Sequence, residues 1–156
     1  MRARSTFIHD EDVQKCRGVC GRLRTASQAN AVLLVEGNGQ YISGAGETSE
    51  LDTTSIASLT AASVAAASSL AHLLGEAEFP SMFYEGVSSN LQVTRIAENA
   101  ILIVVFSKQT SLGLVRLRVR GAIKLLKQIF LESCKRANIA SPLSNVSDSE
   151  IDQIFD

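Results

Sequence analysis

The 156-residue chain has no tryptophan, two prolines, three cysteines and two histidines, and its only aromatic residues are six Phe and two Tyr. So few flat rings exclude a sugar-stacking cleft or an aromatic platform for nucleic-acid bases, both of which need rings in number. Two prolines leave room for long uninterrupted elements. An odd cysteine number does not build a disulfide framework, and a reducing compartment is expected. The basic start Met1-Arg2-Ala3-Arg4 is not followed by a run of seven apolar residues, so no cleaved leader is expected and the protein is read as cytoplasmic. The formal net charge of −1 lacks the basic excess of a generic nucleic-acid binder.

Against these absences stand 46% apolar residues, enough for one domain with its own core. Charge is segregated along the chain. Residues 1–24 carry net +3, residues 25–107 net −7, residues 108–140 net +7, and residues 141–156 net −4. Such blocks can present separate basic and acidic faces to a protein partner.

Residues 10–25 read as a helix. Asp10, Glu11 and Asp12 suit its positive N-terminal end, and Val13, Cys16, Cys20 and Leu23 form one stripe. Gly18 and Gly21 weaken it or mark close packing. Residues 30–36 and 40–43 are strand-like and flank Gly37-Asn38-Gly39, a hairpin signal because these residues tolerate positive φ. Three further strands are expected at 82–87, 91–96 and 100–106, with turns at Ser88-Ser89-Asn90 and Glu98-Asn99. Residues 111–136 continue helical spacing through Val115, Val119, Ala122, Leu126 and Ile129. Arg116, Arg120, Lys124 and Lys127 follow one edge of that helix and suit electrostatic steering.

Residues 53–75 contain no Asp, Glu, Lys or Arg. On a helical wheel Ile56, Leu59, Ser63, Ala67, Leu70 and Leu74 share one face, and Ala57, Ser58, Ala61, Ala65, Ser68, Ser69 and His72 share the opposite one. The small, neutral face is read as a partner- or dimer-facing surface that another backbone approaches; the alternative is a central helix buried on both sides within its own domain. Eight of the 23 residues are Ser or Thr, so no membrane insertion is expected. Residues 137–147 read as a polar linker. In 148–156, Ile151, Ile154 and Phe155 sit at i, i+3, i+4 among acids, as in a docking peptide for a basic surface, either the chain's own last helix or a partner; the alternative is a frayed terminus.

Chemistry of the chain's own is not expected. Cys16 and Cys20 lie one turn apart, but His9, His72 and Cys134 do not complete a metal set by spacing. The glycine pairs lack the Lys of a phosphate loop, and no Gly-x-Ser-x-Gly elbow occurs. No catalytic, cofactor-binding or metal-ligating residue is assigned.

The order α-β-β-α-β-β-β-α resembles the roadblock/LC7 family, a profilin- and longin-like α+β fold with a five-stranded, mostly antiparallel sheet. The resemblance is carried by residues 32–46 (VLLVEGNGQYISGAG), 52–67 (DTTSIASLTAASVAAA), 75–86 (GEAEFPSMFYEG), 110–120 (TSLGLVRLRVR) and 147–155 (SDSEIDQIF). It implies a roadblock domain over 5–136, followed by a linker and acidic tail over 137–156. It also implies a homodimer whose second helices lie side by side and whose sheets join edge to edge. The implied partner is a small Ras-like bacterial GTPase (the MglA type) that sets cell polarity in motile bacteria. The implied activity is stimulation of that GTPase without an arginine finger, at a cell pole. The partner face would comprise Ala57, Ala61, Ala65, Ser68, Ser69 and His72, with the tail docking on the GTPase through Ile151, Ile154 and Phe155. The alternative is a non-catalytic scaffold that binds the GTPase or a motility complex.

Overall fold

The computed structural model describes residues 9–97 and 99–140. The elements are α1 (Asp10–Ser27), β1 (Ala31–Glu36), β2 (Tyr41–Gly46), α2 (Thr53–Leu73), β3 (Ser81–Glu85), β4 (Ser89–Ala97), β5 (Ala100–Ser107) and α3 (Leu112–Ala140). This is the order expected from the sequence. The five strands form one sheet in the order β2-β1-β5-β4-β3, and every neighbouring pair is antiparallel.

The two central strands, β1 and β5, are the most continuously apolar, because both of their faces are covered. On one face Val32, Leu34, Leu102, Val104 and Phe106 meet Cys16, Val19, Cys20 and Leu23 of α1 and Val115, Val119, Ala122, Leu126 and Phe130 of α3. On the other, Leu33, Val35, Val93, Ile101 and Ile103 meet Ala57, Ala61 and Val64 of α2. The sheet is thus sandwiched between a helix pair and a single helix.

Local chemistry sets the boundaries. The β1–β2 hairpin closes where the Gly39 amide donates to the Glu36 carbonyl (2.9 Å) and the Gln40 amide donates to the Asn38 side chain (3.0 Å). Gly39 adopts φ +91°, and a Cβ there would lie 3.1 Å from the Ser58 Cα of α2. Glycine therefore serves both the turn and the helix contact. Asp52 caps α2 by accepting from the Ser55 amide at 3.0 Å. Ser111 caps α3 by accepting from the Leu114 amide at 3.2 Å.

Several expectations are corrected. Strand β2 runs to Gly46 rather than stopping at residue 43, because it pairs with β1 as far as Ala31. Ser89 and Asn90 already pair with β5, so the expected turn narrows. Helix α3 continues to Ala140, past residue 137 where the linker is expected to begin. An added Cβ at Gly18 or Gly21 would meet nothing within 4 Å, so neither glycine marks close packing.

Candidate functional site: the outer face of the second helix

Helix α2 is 21 residues long, carries no charged side chain except at its flanks, and is long and apolar enough to cross a bilayer by length and composition alone. Here it lies against the sheet, yet most of its length stays uncovered by the rest of the chain. The cap at its start is well formed. The hydroxyl and amide of Ser55 both donate to Asp52 and hold that carboxyl below its usual range. At its end Gly75, at φ +76°, lets the chain leave while the Glu76 amide donates to the Ala71 carbonyl (2.9 Å).

The face buried against the sheet consists of Ala57, Thr60, Ala61, Val64 and Ala71. This reverses the sequence reading at two of its six partner-face residues. Ala57 and Ala61 are covered by the protein's own sheet, at 0% and 7% exposure. The physical reason is proximity: small residues let the helix axis settle close to β1, where a large side chain would hold it off. Ala65, Ser69 and His72 do lie exposed. Ser68 is half-buried and engaged. Its hydroxyl donates to the Val64 carbonyl (3.0 Å) and accepts from the Arg95 guanidinium (3.3 Å), which also pairs with Glu78 (3.2 Å).

The stripe of larger residues faces outward instead. Leu59 is 71% exposed, Leu70 53%, Leu73 85% and Leu74 66%. Ile56, Ser63 and Ala67 are half-buried along the same side. The stripe continues onto β3, the edge strand of the sheet. The Tyr84 hydroxyl of β3 is hydrogen-bonded to the Ser63 hydroxyl of α2. Helix α2 lies mainly over β1 and β2. On the β3–β4 side of the same face, Met82 and Leu91 are therefore only partly covered and Tyr84 is exposed. A contiguous apolar surface on a helix–sheet sandwich, bounded by an unpaired strand edge, is what a second protein surface covers.

Elsewhere, Arg116, Arg120, Lys124 and Lys127 are all exposed on α3. They stand on the opposite side of the sheet from α2, so the structure does not join them to the α2 surface. Cys16 and Cys20 are buried in the core, and burial pushes both thiols up to about 12. Among the described residues no three His, Cys, Asp or Glu side chains are grouped to hold a metal ion. Ile151, Ile154 and Phe155 lie outside the described residues.

Missing from the sequence reading are the exposed leucines as a surface, and Tyr84 and Met82 of the edge strand. The signal is present in the α2 stripe, but large apolar residues in a stripe read as the core side.

The roadblock/LC7 domain family matches residues 17–106. Among solved structures, Myxococcus xanthus MglB is 47% identical with a TM-score of 0.78, and the match covers 81% of this chain and 95% of that one. The gliding protein MglB of Thermus thermophilus is 26% identical with a TM-score of 0.77, covering 83% of this chain and 98% of that one. Profilin II of Acanthamoeba castellanii shares the fold alone, at 11% identity and a TM-score of 0.52, with 72% of this chain and 94% of that one covered. Comparison with curated protein sequences finds no match.

Proposed function

The chain belongs to the roadblock/LC7 family, and from that membership we propose that it is a GTPase-activating regulator of a small Ras-like GTPase of the MglA type, acting as a homodimer. The observation that carries this reading is the 47% identity to Myxococcus xanthus MglB over most of both chains. The uncovered surface formed by Leu59, Leu70, Leu73 and Tyr84 supports it, because a second copy laid along α2 and β3 would bury those groups. Sheets joined through β3 would also satisfy that strand's outer backbone edge.

The dimer would present the exposed residues Ala65, Ser69 and His72 to the GTPase. In this reading the chain supplies no reacting group. It orders the partner's switch loops around its own nucleotide, and the rate gain comes from positioning and preorganised electrostatics. No arginine finger is invoked, since the exposed arginines of α3 stand on the far side of the sheet from that face. The site of action is the cytoplasm at a cell pole, in the service of polarity and motility.

A single-turnover GTP hydrolysis assay with the cognate GTPase tests the proposal. Adding two chains per GTPase is expected to raise the hydrolysis rate by at least tenfold. Binding to the GTP form with an unchanged rate would overturn activation and leave the scaffold reading in its place.

A further inference from the structure

A second apolar surface lies on the opposite side of the molecule, between α1 and α3. It is a groove of about 340 Å³. Its floor is formed by the buried side chains of Val19, Leu23 and Ala122. One wall carries Leu117 and Leu125, which are 59% and 46% exposed. Gly121 opens a notch between them, since a Cβ there would meet nothing within 4 Å. The rim is basic, with Arg22 on α1 and Arg118 on α3. Among the described residues neither arginine has an acidic partner within 4 Å.

We propose that this groove is the docking site of the chain's own acidic C-terminal peptide, with Ile151, Ile154 and Phe155 seated between Leu117 and Leu125 and the tail's carboxylates against Arg22 and Arg118. Three observations select this occupant. Residues 141–156 carry Asp148, Glu150, Asp152 and Asp156 and no basic residue, so they complement the rim. Ile151, Ile154 and Phe155 repeat at i, i+3, i+4, the pattern by which an amphipathic segment fills a groove between helices. The reach is also sufficient. Leu125 lies fifteen residues before Ala140, the end of α3, or about 22 Å back along the helix axis. The ten residues 141–150 span up to about 33 Å when extended. A tethered peptide at that range meets the groove at an effective concentration on the order of millimolar, so even a weak contact is populated. While the tail is seated, the groove is closed to any other acidic amphipathic segment.

The inference is independent of the proposed function, and its test uses the chain alone. Cys16 and Cys20 are fully buried and Cys134 is exposed, so Cys134→Ser with Asp156→Cys allows one nitroxide label at the tail's end in an otherwise full-length protein. The expected result is selective broadening of the backbone amide signals of Ala26, Gly121 and Leu125 by twofold or more. That broadening should vanish on adding Ile151→Ala and Phe155→Ala. It should also fall as salt is raised, as the arginine rim requires. Broadening confined to α2 and β3, or broadening at the groove that survives the Ile151→Ala and Phe155→Ala changes, would overturn the proposal. So would groove broadening carried across to isotope-labelled chains mixed with spin-labelled ones, because the tail would then belong to another copy.

Discussion

Asp12 and Arg136 stand 124 positions apart, yet the Arg136 guanidinium donates to the Asp12 carboxylate and ties the start of α1 to the end of α3. Asp12 is fully buried, whereas the Arg136 side chain is 37% exposed. Helix spacing alone explains an acid at position 12 as a complement to the helix dipole. It carries no information on a partner so distant in sequence. Arg136→Met removes the counter-charge and leaves a buried carboxylate. A loss of about 1–3 kcal/mol is expected in urea unfolding, below that of a fully buried pair because solvent already reaches the arginine. Combining it with Asp12→Asn should recover part of the loss. Cys16 and Cys20 make a second case at this scale. Both thiols rise from 9.0 to about 12, chiefly through burial. A raised thiol favours the protonated form in the folded state. Its stabilising contribution is therefore complete below pH 9 and is lost progressively as pH climbs from 9 towards 12. A native chain at about pH 8 should thus react with a thiol reagent at Cys134 alone, and all three cysteines should react after denaturation.

At the scale of elements, strands and helices were legible because each has its own period. The run 101–106 is apolar throughout, as a strand covered on both faces must be, and β5 holds the centre of the sheet with β1. Helix α2 was legible as a helix but not in its orientation. Both its sides are apolar or small, so periodicity offers two faces, and side-chain size does not separate them: Ala57 and Ala61 are buried, whereas Ala65, Ser69 and His72 are exposed. Close packing on β1 requires Ala57 and Ala61, and the leucines are left to face outward. The two faces should respond oppositely to substitution. Ala61→Leu forces the helix off the sheet, and a loss of about 1–3 kcal/mol is expected in thermal or urea unfolding. Leu59→Glu with Leu70→Glu changes positions exposed in the single chain, so the fold of each chain should survive with its circular dichroism spectrum unchanged. If α2 is the dimer seam, that double substitution should convert the protein to monomer in sedimentation. Retention of the dimer would move the seam elsewhere.

At the scale of the molecule, the near-zero net charge conceals two unlike sides. The α1–α3 side displays Arg22, Arg116, Arg118, Arg120, Lys124 and Lys127, all exposed. The α2 side offers a helix without a single Lys, Arg, Asp or Glu between Thr53 and Leu73. Two contacts made on these sides must therefore differ in their response to salt. Screening shortens the reach of charges from roughly 10 Å at 0.1 M to about 3 Å at 1 M and leaves apolar burial nearly untouched. A GTPase held on the exposed α2 face at Ala65, Ser69 and His72 should lose less than about threefold in affinity between 0.05 and 0.5 M salt. Ala65→Arg should abolish that binding while circular dichroism and melting temperature stay unchanged, since the side chain is exposed. A fall of tenfold or more with salt, together with tolerance of Ala65→Arg, would place the GTPase on the basic α1–α3 side instead. In that event Arg116→Glu and Arg120→Glu, remote from α2, should be the substitutions that release it.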